Sequence, residues 1–410
     1  MRIGWPFVVL ALAVCPAWAG GTTGHDPAGG GLPLVDPATC PEDAAGWEAR
    51  ALARSLAPQP GLPPIPHPAD NPPSAGKIAL GRKLFFDRRL SINGTMSCAM
   101  CHVPEQAFVN RELATAVGVE GRSVKRNAPT LINVAFHDPL FHDGRDNALE
   151  TQFIGPLVAR NEMANPSAGR VIARINAMPE YRRLFDAAFA APASLDRMGM
   201  ALATYQRSLV AGGSDFDRWY YGGDETALTE PAKRGFALFS GAAGCTACHP
   251  VGADSAILTD NLFHDTGYGW MREQVRQHPP ATAPVQVAPG VVHEVDFARI
   301  MSVSAPREAD LGRYEVTETP ADRWRFRTPS LRNVALTPPY MHDGALASLR
   351  AVLEFYDAGG PGAPGQDPRI RPLGLSPSDL DDLEAFLNAL TSPGIACLAK
   401  EARSAPPDNH

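Results

Sequence analysis

Apolar residues recur at helical spacing in a few short stretches, with long irregular segments between them. Asn71-Pro72-Pro73-Ser74 reads as a helix start, and Ile78, Leu80, Leu84 and Phe85 follow at roughly helical intervals. Thr229 and Pro231 open a second helix with Phe236 and Phe239 on its apolar face, and Gly241 and Gly244 then release the chain. Ser348 caps a third, in which Leu349, Val352, Leu353 and Tyr356 share an inward face before Gly359 and Gly360 end it. Residues 20–70 are rich in Gly and Pro, with one short helix expected from Asp43 to Leu56. The pattern predicts a mainly α fold joined by Pro/Gly-rich loops, with little strand.

These stretches belong to an internal repeat. At an offset of 200, Pro129, Leu131, Asn133, Val134 and Ala135 fall on Pro329, Leu331, Asn333, Val334 and Ala335. His142-Asp143-Gly144 falls on His342-Asp343-Gly344, and Leu149 on Leu349. Cys98-Ala99-Met100-Cys101-His102 returns as Cys245-Thr246-Ala247-Cys248-His249, but only 147 residues later. The second copy therefore carries about 53 extra residues, placed within Trp270–Arg325. An insertion of that length is expected to be a surface loop or a partner-binding element.

Composition adds the setting. A chain of 410 residues can hold two domains with cores. Its net charge of −7 offers nucleic acid no basic face. Arg2, the apolar run Phe7–Val14 and Ala17-Trp18-Ala19 read as a secretory signal over 1–19, a membrane anchor being the alternative. No later run is long and apolar enough to span a bilayer, so the expected location is the periplasm. Of seven cysteines, four lie in the two C-x-x-C-H motifs and Cys15 leaves with the signal. Cys40 and Cys397 remain; an oxidising compartment permits a disulfide between them, two unpaired thiols being the alternative.

C-x-x-C-H spacing lets two thiols bond the vinyl groups of one haem while the adjacent histidine reaches the iron. Two covalently bound haem c groups are expected, on Cys98, Cys101 and His102 and on Cys245, Cys248 and His249. A four-cysteine zinc site is the alternative, and the long separation of the pairs argues against it. Tyr356 lies on an inward stripe with a phenol that must find a partner, either iron or an ordinary core neighbour. Its counterpart in the first copy is Pro156, which cannot ligate iron, and Val103–Arg126 contains no histidine. One iron is thus expected to be capped and the other open, which points to redox catalysis more than to electron carriage. Glu162 and Gln152 are the acid–base candidates on the open side, a plain surface glutamate being the alternative reading of Glu162.

With these residues in hand, the chain resembles the bacterial di-haem cytochrome c peroxidase family, closest to its MauG-like branch, from about Asp70 to Leu390. The resemblance rests on Leu84-Phe85-Phe86-Asp87, both haem motifs, Arg126-Asn127-Ala128-Pro129-Thr130, Asp143-Gly144-Arg145 and Thr337-Pro338-Pro339-Tyr340-Met341-His342-Asp343-Gly344. It implies two duplicated cytochrome c-like haem domains: a peroxidatic one over 71–225 and a second over 226–400 with an insertion at about 270–325. Residues 20–70 are then a leader and 401–410 a tail. It implies His102 proximal at the peroxidatic haem under Gln152 and Glu162, and His249 with Tyr356 as axial ligands of the second. Arg126 and His142 are placed near the cofactors. Asn127, Thr337 and Pro339 fall on the family's calcium ligands. The implied activity is reduction of hydrogen peroxide through a high-valent iron intermediate, with electrons from a c-type cytochrome or cupredoxin. Oxidation of side chains on a specific protein partner, or plain di-haem electron transfer, are the rival readings. Two positions depart from the pattern: His142 replaces the tryptophan usual between the haems, and Ala243 replaces the surface tryptophan through which the MauG-type enzyme oxidises its protein substrate.

Overall fold

Ser74 acts as the cap its position predicts: its hydroxyl accepts the Lys77 N–H at 3.2 Å, and the helix Ala75–Phe86 follows. Thr229 caps Glu230–Ser240 and Ser348 caps Leu349–Asp357 in the same way. The computed structural model describes residue 40 and residues 46–288, 291–302 and 309–403. The signal segment, about half of the leader and the end of the tail lie outside the described residues. The early helix runs from Trp47 to Leu56. Helices dominate, and among the described residues strand is confined to two short antiparallel pairs, Phe263–His264 with Phe326–Arg327 and Thr282–Ala288 with Val291–Asp296.

Two helix crossings organise the core. Ala75–Phe86 packs on Leu195–Arg207, and Glu230–Ser240 packs on Pro377–Asn388. Each crossing is closed through a glycine. A Cβ on Gly81 would lie 2.0 Å from the Ala201 carbonyl oxygen, and one on Gly235 would lie 1.9 Å from that of Asp382. Around the first crossing cluster Ile78, Leu84, Phe85, Phe108, Met198 and Tyr205. Around the second cluster Phe216, Phe239, Leu258, Leu383 and Phe386. Truncating one such buried side chain to alanine typically costs about 2–5 kcal/mol.

The sequence repeat has a backbone counterpart. Asn133 and Asn333 are both left-handed, at φ 63° and 62°. Their N–H groups donate to Leu209 O at 2.8 Å and Leu390 O at 3.1 Å, each just past the second helix of its crossing. Bridges Leu140–Asp146 and Tyr340–Leu346 recur at the same offset. The two segments then cross over: Asn127 N–H donates to His342 O at 2.7 Å, and Arg327 N–H to His142 O at 2.8 Å.

The insertion is not purely a surface loop. It holds the helix Tyr268–Gln277, the longer hairpin and the short helices Phe297–Ser302 and Tyr314–Thr317. Its return leg comes back to the body, where Asp310 and Glu315 meet Arg126 and Lys125. Two further ties hold the periphery. Cys40 and Cys397 form a disulfide. Arg332, buried with Asp217, is bonded to it at 2.8 and 2.9 Å and also donates to the Gly61 and Ala256 carbonyls.

Candidate haem sites

Both C-x-x-C-H motifs form a single tight turn that returns the histidine N–H to the first cysteine carbonyl, at 2.9 Å for His102 and for His249. Each histidine then bonds a carbonyl further on in its own loop: His102 Nδ1 meets Phe108 O at 3.1 Å, and His249 Nδ1 meets Leu258 O at 2.8 Å. Both acceptors sit on left-handed residues, Phe108 at φ 58° and Leu258 at φ 53°, which turn the carbonyl back onto the ring. A carbonyl can only accept, so Nδ1 carries the proton and Nε2 presents its lone pair. Burial also pushes both imidazoles down, toward the neutral, ligand-competent form.

The thiols fit haem attachment better than zinc or dithiol chemistry. Burial pushes Cys98 up to about 12 and Cys101 and Cys245 up to about 11. Thiols held neutral in this way are poor redox nucleophiles, whereas a bound zinc ion would deprotonate them outright, so zinc is disfavoured by geometry alone. The two pairs do not converge. Among the described residues the one cluster with metal-ligand spacing is Cys248, Asp260 and His264. There His264 is already held by Asp260 at 2.8 Å and Asp367 at 3.2 Å.

A cavity of about 410 Å³ opens over His102, in the range that takes a cofactor. Cys98, Cys101, Gln152, Pro156, Glu162 and Arg126 line it. Asn127 and His142 line it as well, so most of the residues singled out for the first site come together. Glu162 stands on a loop seated against Gly118, where a Cβ would lie 2.2 Å from Asn161 O and 2.7 Å from the Glu162 Cα. Burial pushes the Glu162 carboxyl up, with Arg145 acting against it. Among the described residues nothing is hydrogen-bonded to that carboxyl, so it is free to act on a guest.

Around the second motif the wall is different. Tyr356 stands near the last turn of its helix, close enough to Cys245 and Cys248 to feel their charge, and burial pushes its phenol up. A buried phenol becomes a phenolate only beside an added positive charge such as ferric iron. Phe239 lies 6.4 Å from the His249 ring and 5.0 Å from Phe386, so the proximal side is apolar and aromatic.

The remaining expected residues meet at the seam. Arg126 forks onto Asp310 at 2.7 Å through Nε and Nη2, bonds Asp143 at 2.5 Å and approaches Glu315 at 3.3 Å. Its charge is thus spent on protein carboxylates. His142 Nε2 bonds Asn127 O at 3.0 Å, and burial, then Arg126, push its imidazole down to about 3. It is a neutral donor. Asn127 donates its side-chain amide to Ala114 O at 2.9 Å, and its bond to His342 O sets it against the turn that carries Thr337 and Pro339. Sequence reading missed Met163, Arg145, His137 and Arg327, all of which line the cavity. The offset of 200 pairs Asn127 with Arg327, a cation opposite an amide, and that mismatch was the available signal.

Several known proteins resemble this chain in sequence and in structure. A family model described as di-haem cytochrome c peroxidase matches residues 75–226. The chain is 38% identical over 337 residues to the cytochrome-c peroxidase IdrP1 of Denitromonas iodatirespirans, covering 80% of this chain and 85% of that protein. It is also 38% identical to the methylamine utilization protein MauG of Methylorubrum extorquens, over 86% of this chain and 88% of that one. Among solved structures, a MauG-like protein associated with microbial copper homeostasis superposes with a TM-score of 0.65 at 32% identity, over 82% of this chain and 95% of that one.

Proposed function

The chain belongs to the di-haem cytochrome c peroxidase family, and on that premise we propose a periplasmic enzyme that reduces hydrogen peroxide with electrons from a c-type cytochrome or cupredoxin. Cys98 and Cys101 hold one haem c over His102; Cys245 and Cys248 hold the other over His249. On this reading the chain divides into duplicated haem domains over 71–225 and 226–400, a division that the sequence repeat supports. Tyr356 would supply a ligand to the second iron, and Pro156 has none to offer the first. Asn127, Thr337 and Pro339 supply oxygen ligands for one calcium at the seam, a donor set that suits it when waters complete the shell.

Haem c supplies the iron that accepts the oxidising equivalents of peroxide. The protein supplies proton handling and positioning. The unbonded Glu162 carboxyl would act as the acid–base group of the cavity, taking a proton from bound peroxide and giving it to the leaving oxygen. Gln152, on the same cavity wall, orients the peroxide without changing charge. Burial raises the Glu162 carboxyl, which makes it a stronger base than an exposed glutamate and so favours this exchange. His142 donates across the seam to the Asn127 carbonyl and stays neutral throughout.

The observation that carries the proposal is the cavity over His102 with an unbonded, half-buried carboxyl in its wall. The test mixes fully ferric protein with stoichiometric peroxide and then adds reduced c-type cytochrome. A fast absorption change followed by cytochrome oxidation is expected. Neither response, before or after one-electron reduction of the protein, would identify an electron carrier instead.

A further inference from the structure

Arg327 is a buried cation without a counter-charge. It is 9% exposed, and the Arg126 side chain is enclosed to the same degree. Arg126, however, meets Asp143, Asp310 and Glu315, and the buried Arg332 meets Asp217. Arg327 has only neutral partners. Its Nε donates to Phe141 O at 3.1 Å, and Nη1 donates to Asn261 Oδ1 and Thr328 O at 3.1 Å and to His137 Nδ1 at 3.3 Å. Among the described residues Nη2 has no partner, no carboxylate pairs with the guanidinium, and the residue lines the cavity over His102. Burial alone pushes it down to about 10. A buried charge in this state calls for an anion from outside the chain.

We propose that Arg327 is the carboxylate anchor of this cavity, holding a propionate of the haem attached at Cys98 and Cys101. The inference rests on the haem reading of the cavity. His137 completes the anchor. A guanidinium has no acceptor, so His137 Nδ1 accepts from it and the imidazole proton sits on Nε2. Arg327 lies in the short strand Phe326–Arg327, outside the domain that attaches this haem, and its own N–H is bonded to His142 O. The second half of the chain thus sets the charge beside the first haem. A fixed cation favours the reduced, less positive haem, so Arg327 raises the midpoint potential of the first haem and leaves the second unmoved.

The test uses full-length, haem-loaded protein. Haem content is counted, and each haem is titrated spectroelectrochemically in wild type, Arg327→Gln and Arg327→Lys. With two haems bound, Arg327→Gln should lower the reduction equilibrium constant of the first haem about tenfold, about 59 mV for one electron, without moving the second. Arg327→Lys keeps the charge and should hold the potential while the propionate-bending band in the resonance Raman spectrum shifts. It serves alone if the Gln variant does not accumulate. Two bound haems with an unmoved first potential in Arg327→Gln, or an unmoved propionate band in Arg327→Lys, would overturn the anchor. A wild-type protein that carries no haem at Cys98 and Cys101 would overturn the cofactor reading itself, and the anchor with it.

Discussion

The loops around His102 and His249 take the same steps: a tight cysteine turn, a left-handed residue whose carbonyl fixes the imidazole, and a helix crossing closed through a glycine. What faces each imidazole differs. Over His102 stand Pro156, Gln152, Glu162 and an open volume of about 410 Å³. Beside Cys245 and Cys248 stands the Tyr356 phenol. Shared backbone repeats the two C-x-x-C-H turns, and on the proposed reading a few side chains on that backbone set one site aside for substrate and the other for storing charge. The seam shows the same principle in reverse. Asn127 and Arg327 make equivalent backbone bonds across it, yet one presents an amide and the other an unpaired cation.

The contrast can be broken from either side. Tyr356→Phe should have the largest effect, converting the second haem from low to high spin while the first keeps its spectrum; an unchanged low-spin signal in magnetic circular dichroism would mean another ligand. Glu162→Gln should slow the peroxide reaction by about 10²–10⁴-fold with haem spectra nearly intact, as read by stopped flow. In the parent protein burial raises the Glu162 carboxyl. Its base form is therefore lost at a higher pH than for an exposed glutamate, so the rate should fall as pH drops through that raised value. The Gln variant should show no such limb. Gly81→Ala and Gly235→Ala should each destabilise their own crossing by about 1–3 kcal/mol through overpacking. Thermal unfolding monitored at each haem should separate the two. Smallest of all, Arg403→Ala removes the exposed pair with Glu105 and should change stability by about 1 kcal/mol or less.

How much of this was legible in the sequence follows from the range of each interaction. Capped helices such as Leu349–Asp357 were readable because the cap, the stripe and the terminating glycines lie within one short window. The attachment residues were readable because covalent chemistry fixes their spacing. The disulfide was reached by elimination among seven cysteines. The carbonyls that orient the two histidines, at Phe108 and Leu258, left no trace, since any residue supplies a carbonyl. The partners of Arg126 were hidden for a different reason. Asp310 and Glu315 lie more than 180 residues away in the insertion, and no local pattern announces a return leg. Arg327 stood in plain view opposite Asn127, but its lack of a carboxylate is a property of the packed seam.

The central claim is that one site is open and the other closed by Tyr356. Electron paramagnetic resonance of the fully ferric protein tests it most directly. The account predicts one high-spin signal from the haem at His102 and one low-spin signal from the haem at His249, the latter lost in Tyr356→Phe. Two low-spin signals in the resting protein would contradict it. They would mean that a side chain of the first cavity, Met163 foremost, closes that iron as well.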